Sequence, residues 1–111
     1  MTVNHGIGYM NSSKYEIVAI SDLSNQAMMD YDEHFAEWDD YKADHFSNAL
    51  DMLEKSNLDV VSVGVWDTGH SAMTRAAASS GIKAVLCEKP MADTLGAAND
   101  MMLVCKRNGV K

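Results

Sequence analysis

One proline, two cysteines and nine basic residues against sixteen acids mark what this 111-residue chain does without. The two cysteines, Cys87 and Cys105, are too few for a disulfide framework and point to a reduced, cytoplasmic compartment. The formal net charge of −7 argues against a nucleic-acid surface, because binding phosphates needs clustered Lys and Arg. No apolar run approaches the roughly 20 residues of a membrane span. The opening "MTVNHGIGYM" lacks the charged segment and apolar stretch of a secretory signal. His5, His34 and His45 share no ligand spacing, so no metal site is expected. There is no internal repeat and no low-complexity linker. The length suits one modest domain, which buries roughly 60 to 70% of its unfolded surface.

What is present is a run of short apolar segments that end in polar residues. "YEIVAISD" (15–22), "LDVVSVGVWD" (58–67) and "IKAVLCEK" (82–89) read as strands covered on both faces, the pattern of a parallel sheet. Helical patterns separate them. "SNALDMLEKS" (47–56) sets Leu50 and Leu53 near one face with Ala49. "HSAMTRAAASSG" (70–81) groups Ala72, Met73, Ala76 and Ala77 and ends at Gly81, a good C′ residue. "DTLGAANDMMLVCKRNG" (93–109) opens on Asp93 or Thr94 as N-cap and is expected to bury Leu95, Ala98, Met102 and Cys105. The charged, aromatic middle is read as a helix over about 24–38 and a short edge strand near 41–46. Strand and helix in alternation predict a doubly wound α/β fold with a parallel sheet.

In open α/β sheets, ligands bind just beyond the C-terminal ends of the strands. Here those ends carry Asp22, then Trp66 and Asp67, then Glu88 and Lys89. An acid at the end of a second strand is the group that takes a ribose hydroxyl in dinucleotide-binding folds, about 20 residues after a Gly-rich turn. Counting back about 20 from Asp22 reaches Met1, so the first strand and its glycines are expected to lie upstream. The G-x-G of "HGIGY" precedes a strand instead of following one and is not read as the phosphate turn. No Arg follows Asp22 in "SDLSNQ" to welcome a 2′-phosphate, which favours NAD over NADP.

The plainer roles stand beside these. Asp22 and Asp67 each suit a helix cap, and His70 suits a solvated or capping position. Cys87 suits a small strand residue, and Met101 and Met102 suit core filler.

"DVVSVGVWDTGHSAMTRAAASSGIKAVLCEKPMADTL" (59–95) resembles the Gfo/Idh/MocA oxidoreductases, whose members include glucose-fructose oxidoreductase and inositol dehydrogenase. The shared pattern is a strand, a loop ending in His, an alanine-rich helix, a strand and then E-K-P; "YEIVAISD" fits their second strand. The resemblance runs from about residue 4 to 111. It implies a Rossmann domain that binds NAD or NADP, here residues 1–111 as a partial dinucleotide-binding domain, with the substrate domain absent. It implies that Asp22 holds the adenosine ribose and that Trp66 and His70 lie near the cofactor. Glu88 would contact the nicotinamide end, and Lys89 would reach substrate and cofactor as the catalytic cation. It also implies a sugar or polyol substrate, a homo-oligomeric parent and a cis Lys89–Pro90 peptide. The chain departs from the family in having Val65–Trp66 where Thr-Pro is usual, and in lacking the Gly-rich turn and the second catalytic motif with its His. Two other classes compete: a nucleotide-binding module without catalysis, and a receiver-type signalling domain with Asp67 as phosphoacceptor. The receiver needs an additional strand between Asp67 and Lys89, for which the sequence leaves no room.

Overall fold

Each apolar run condenses to a shorter strand, and each strand finds a parallel partner. The computed structural model describes residues 2–111. The chain forms two compact units, one running through Ser56 and one from Asn57 to Lys111.

In the first unit, β1 (Ala19–Ser21) pairs in parallel with β2 (Asp44–Phe46), with Ile20 opposite His45. Helix α1 (Val3–Met10) precedes β1, and α2 (Asn25–His34) joins the strands. Ser24 starts α2, its hydroxyl accepting the Ala27 N–H at 3.1 Å. That helix stops four residues short of the expected end, and the chain turns through Phe35 and Trp38. The reason is aromatic packing. Phe35 is fully buried, with ring centroids of Tyr31, Tyr41 and Trp38 at 5.0, 5.1 and 5.6 Å. Ile20 and Met28 complete this core.

Helix α1 was not anticipated, and it explains the G-x-G. A Cβ on Gly6 would lie 2.6 Å from Phe35 Cζ and closer still to the Tyr31 hydroxyl. Gly6 therefore lets helix and ring approach, which is a packing role and not a phosphate-binding one. Helix α3 (Ala49–Lys55) follows β2, capped by Asn48, whose Oδ1 accepts the Leu50 N–H at 2.9 Å. Leu50, expected inward, is exposed; Ala49, Met52 and Leu53 form the half-buried side.

In the second unit, β3 (Val60–Val63) and β4 (Ala84–Cys87) run parallel in a register that sets Val60 opposite Ala84 and Val63 opposite Cys87. Helix α4 (Asp67–Ala78) connects them, and α5 (Leu95–Arg107) follows β4. On its other edge β4 meets the end of the chain. Val85 N–H donates to Lys111 O at 2.8 Å, and Lys111 N–H donates to Lys83 O at 3.0 Å. Thr94 is the N-cap of α5, its Oγ1 accepting the Ala97 N–H at 3.0 Å. That helix closes in a Schellman pattern: Val110 N–H reaches Cys105 O, Gly109 N–H reaches Lys106 O, and Gly109 takes φ +67°. Gly81 likewise takes φ +90° after α4.

The inward faces differ from the expected ones. On α4 the buried stripe is His70, Thr74, Ala77 and Ala78, while Ala72 is exposed. On α5, Met101 is the buried residue; Leu95 and Met102 face out. A reading that seeks only apolar residues cannot place a stripe with His and Thr in it. On α5 it also had to choose between adjacent methionines about 100° apart.

Candidate functional site

The strand ends of the two units each carry predicted residues. In the first, Asp22 follows β1 directly, its N–H donating to Phe46 O at 3.2 Å. Its Oδ1 accepts the Ser24 N–H at 2.8 Å. Asp22 is thus not the cap of α2, a role held by Ser24; it is a carboxylate oriented by the backbone at the end of a strand.

In the second unit, the loops after β3 and β4 come together. The Glu88 N–H donates to Val63 O at 2.9 Å, carrying the ladder one residue past β4. Its Oε1 accepts the Lys89 N–H at 2.9 Å, which fixes the carboxylate against the backbone. Lys89 and Pro90 are exposed, and the peptide between them is cis. Trp66 is the N-cap of α4 and 87% exposed. Asp67 lies inside the first turn of that helix, three residues earlier than expected, and its Oδ1 accepts the Thr68 N–H at 3.0 Å. A carboxylate there also complements the positive end of the helix dipole.

His70 differs most from expectation. It is neither solvated nor a cap but 2% exposed. Its Nδ1 faces Pro90 O at 2.8 Å and Met91 O at 3.2 Å, and its Nε2 faces Val65 O at 2.8 Å. The ring therefore touches both loops and offers neither nitrogen to solvent. The structure brings Trp66, His70, Glu88 and Lys89 into one pair of loops, whereas Asp22 belongs to the other unit. Thr74, one turn beyond His70 on the buried face of α4, was missed by sequence reasoning; its i, i+4 spacing from His70 was the available signal.

An apolar cavity of about 200 Å³ is lined by Thr74, Val85, Cys87, Met91, Met101 and Cys105 among others. Burial pushes the Cys87 thiol up; the Thr74 hydroxyl works against this and Glu88 adds to it. Burial also raises Cys105. Both thiols are thereby held away from the nucleophilic thiolate. Among the described residues no group of three His, Cys, Asp or Glu side chains is placed to hold a metal, and no helix is long and apolar enough to cross a membrane.

The chain is 30% identical over 107 residues to the D-apiose dehydrogenase of Paraburkholderia graminis, covering 96% of this chain and 27% of that protein. Its structure is similar to that of the WlbA dehydrogenase from Bordetella pertussis in complex with NADH and UDP-GlcNAcA. There the TM-score is 0.83 and the identity 25%, over 100% of this chain and 32% of that one. The fold is also similar to myo-inositol 2-dehydrogenase from Lactobacillus plantarum, with TM-score 0.74 and 23% identity over 94% of this chain and 29% of that one. The chain thus spans about three tenths of the length of these relatives. All of residues 1–111 match the GFO_IDH_MocA family, described as an oxidoreductase family with an NAD-binding Rossmann fold. With alternating parallel strands and helices, an acid after β1 and E-K-P after β4, the chain belongs to that family.

Proposed function

We propose that this chain is the cofactor-holding part of an NAD-dependent dehydrogenase acting on a sugar or polyol. The observation that carries the reading is the loop pair of the second unit, in which the exposed Lys89 follows a strand end and is flanked by a backbone-fixed carboxylate. D-apiose dehydrogenase, similar over nearly the whole chain, supports a carbohydrate as the substrate class.

The residues present suit a dinucleotide. The Asp22 carboxylate, oriented by the Ser24 N–H, suits the paired hydroxyls of a ribose and opposes a 2′-phosphate, which favours NAD. The exposed indole of Trp66 offers a flat apolar face, and Glu88 offers a carboxylate toward the nicotinamide end. His70 belongs to the same site through the loops it touches. When bound, the nicotinamide supplies the hydride acceptor. Lys89 would donate a charge-assisted hydrogen bond to the substrate oxygen and stabilise the negative charge that develops on it during oxidation.

The whole protein, on this reading, is cytoplasmic, consistent with two unbridged cysteines, and assembles as a homo-oligomer. The test is NAD reduction by the full-length protein against a panel of pentoses, hexoses and inositols, with NAD and NADP compared. Turnover with a sugar or polyol and a preference for NAD is expected. Cofactor binding without turnover on any of them would favour a non-catalytic nucleotide-binding module instead.

A further inference from the structure

We propose that His70 is a positioning residue: Nδ1–H donates to the carbonyl of Pro90 and thereby holds the Glu88–Met91 segment, and with it Lys89, against the loop that leaves β3. Two carbonyl oxygens from consecutive residues, Pro90 and Met91, converge on Nδ1, whereas Nε2 meets the single oxygen of Val65. A carbonyl can only accept, so each ring nitrogen that faces one calls for a hydrogen, and Nδ1, with two such oxygens against the one at Nε2, has the stronger claim to it. The ring is 2% exposed, so water cannot take over the contact. Pro90 has no N–H of its own with which to anchor the segment.

Lys89 makes no comparable hold of itself: its side chain is exposed, and its N–H is bonded to Glu88 Oε1 in the same segment. The segment is tied to the rest of the unit by the Glu88 N–H on Val63 O at one end and by His70 at the other, with the Cys87 thiol 3.8 Å from Met91 O beside it. Naming Lys89 as the group positioned rests on the function proposed above. The measurements that test the tie need no cofactor, so the two ideas fail separately.

The first measurement is the ring ¹⁵N spectrum of His70 in the 111-residue chain. A pyrrole-type Nδ1 is expected; a pyridine-type Nδ1, lacking hydrogen, would overturn the proposal whatever any variant does. The second is amide exchange at Glu88 and Lys89 in three variants. His70→Ala is expected to speed exchange there about tenfold, the loss of one hydrogen bond. His70→Asn places an amide N–H where Nδ1 stood and is expected to restore slow exchange. His70→Gln places it where Nε2 stood and is expected not to. Equal behaviour of the Asn and Gln variants would mean that His70 only fills space.

Discussion

The two units solve the same problem, a parallel strand pair covered by helices, with different materials. The first buries aromatic rings: Phe35 stands at the centre, with Tyr31, Tyr41 and Trp38 around it. The second buries small and aliphatic residues, Val61, Val63, Ala77, Ala78 and Met101, and includes one polar ring, His70. Aromatic packing tolerates few changes of shape and leaves few polar atoms to satisfy, among them the Tyr41 hydroxyl, which donates to Asp32. A buried imidazole must find acceptors, and it finds them in the two loops that carry the proposed chemistry. Stability in the first unit is therefore concentrated in one cluster. In the second, part of the packing is spent on holding loops.

This contrast can be broken at its strongest point first. Phe35→Ala removes the ring on which three others rest and is expected to cost about 3–5 kcal/mol, enough to unfold the first unit. Met101→Ala removes a flexible chain that lies against the cavity and is expected to cost about 2–3 kcal/mol, at the low end for such a change. Denaturant unfolding followed at residue level would separate the two, and a larger loss from Met101→Ala would reverse the comparison.

Gly6→Ala drives a methyl into Phe35 and Tyr31 and is expected to cost about 1–3 kcal/mol. Gly8→Ala, where an added Cβ meets nothing, is expected to stabilise α1 by up to about 1 kcal/mol. If both changes behaved alike, the close approach of α1 to the aromatic cluster would be wrong.

A further effect is one of pH. Burial, with help from Tyr9, pushes Tyr31 up from 10.0 to about 12. Below pH 10 the phenol is protonated in both folded and unfolded chains. Between pH 10 and about 12 the unfolded phenol ionises first, so stability is present below that window and falls as pH rises through it. Thermal unfolding across this range, with tyrosinate absorbance, should show the decline; Tyr41, pushed up further by burial and by its bond to Asp32, adds to it, so Tyr31→Phe should lessen it and Tyr31→Phe with Tyr41→Phe should lessen it more.

The fold class was legible because three apolar runs ended in polar residues and helical patterns lay between them. Thr94 and Gly109 also stood where a helix start and stop were expected. Helix α1 was not legible, because its glycines look like a turn until Phe35 and Tyr31 are seen beside Gly6. The charged middle was hard to read because its acids serve its aromatics. Asp32 accepts from the Tyr41 hydroxyl and meets His45 Nε2 at 2.7 Å. Of the candidate site, the residues after the strands could be named from position alone. The burial of His70 could not, since its acceptors are backbone oxygens 20 and 21 residues away.

The proposed function assigns the chemistry to Lys89 in the second unit and the cofactor's ribose to Asp22 in the first, and Lys89→Ala in the full-length protein tests that proposal most directly. A charge-assisted contact of about 1.5–3 kcal/mol to the substrate oxygen corresponds to a loss of roughly 10- to 150-fold in kcat. The account predicts that loss with the Kd for NAD changed by less than about threefold. Near-normal kcat, or loss of NAD binding along with turnover, would contradict it.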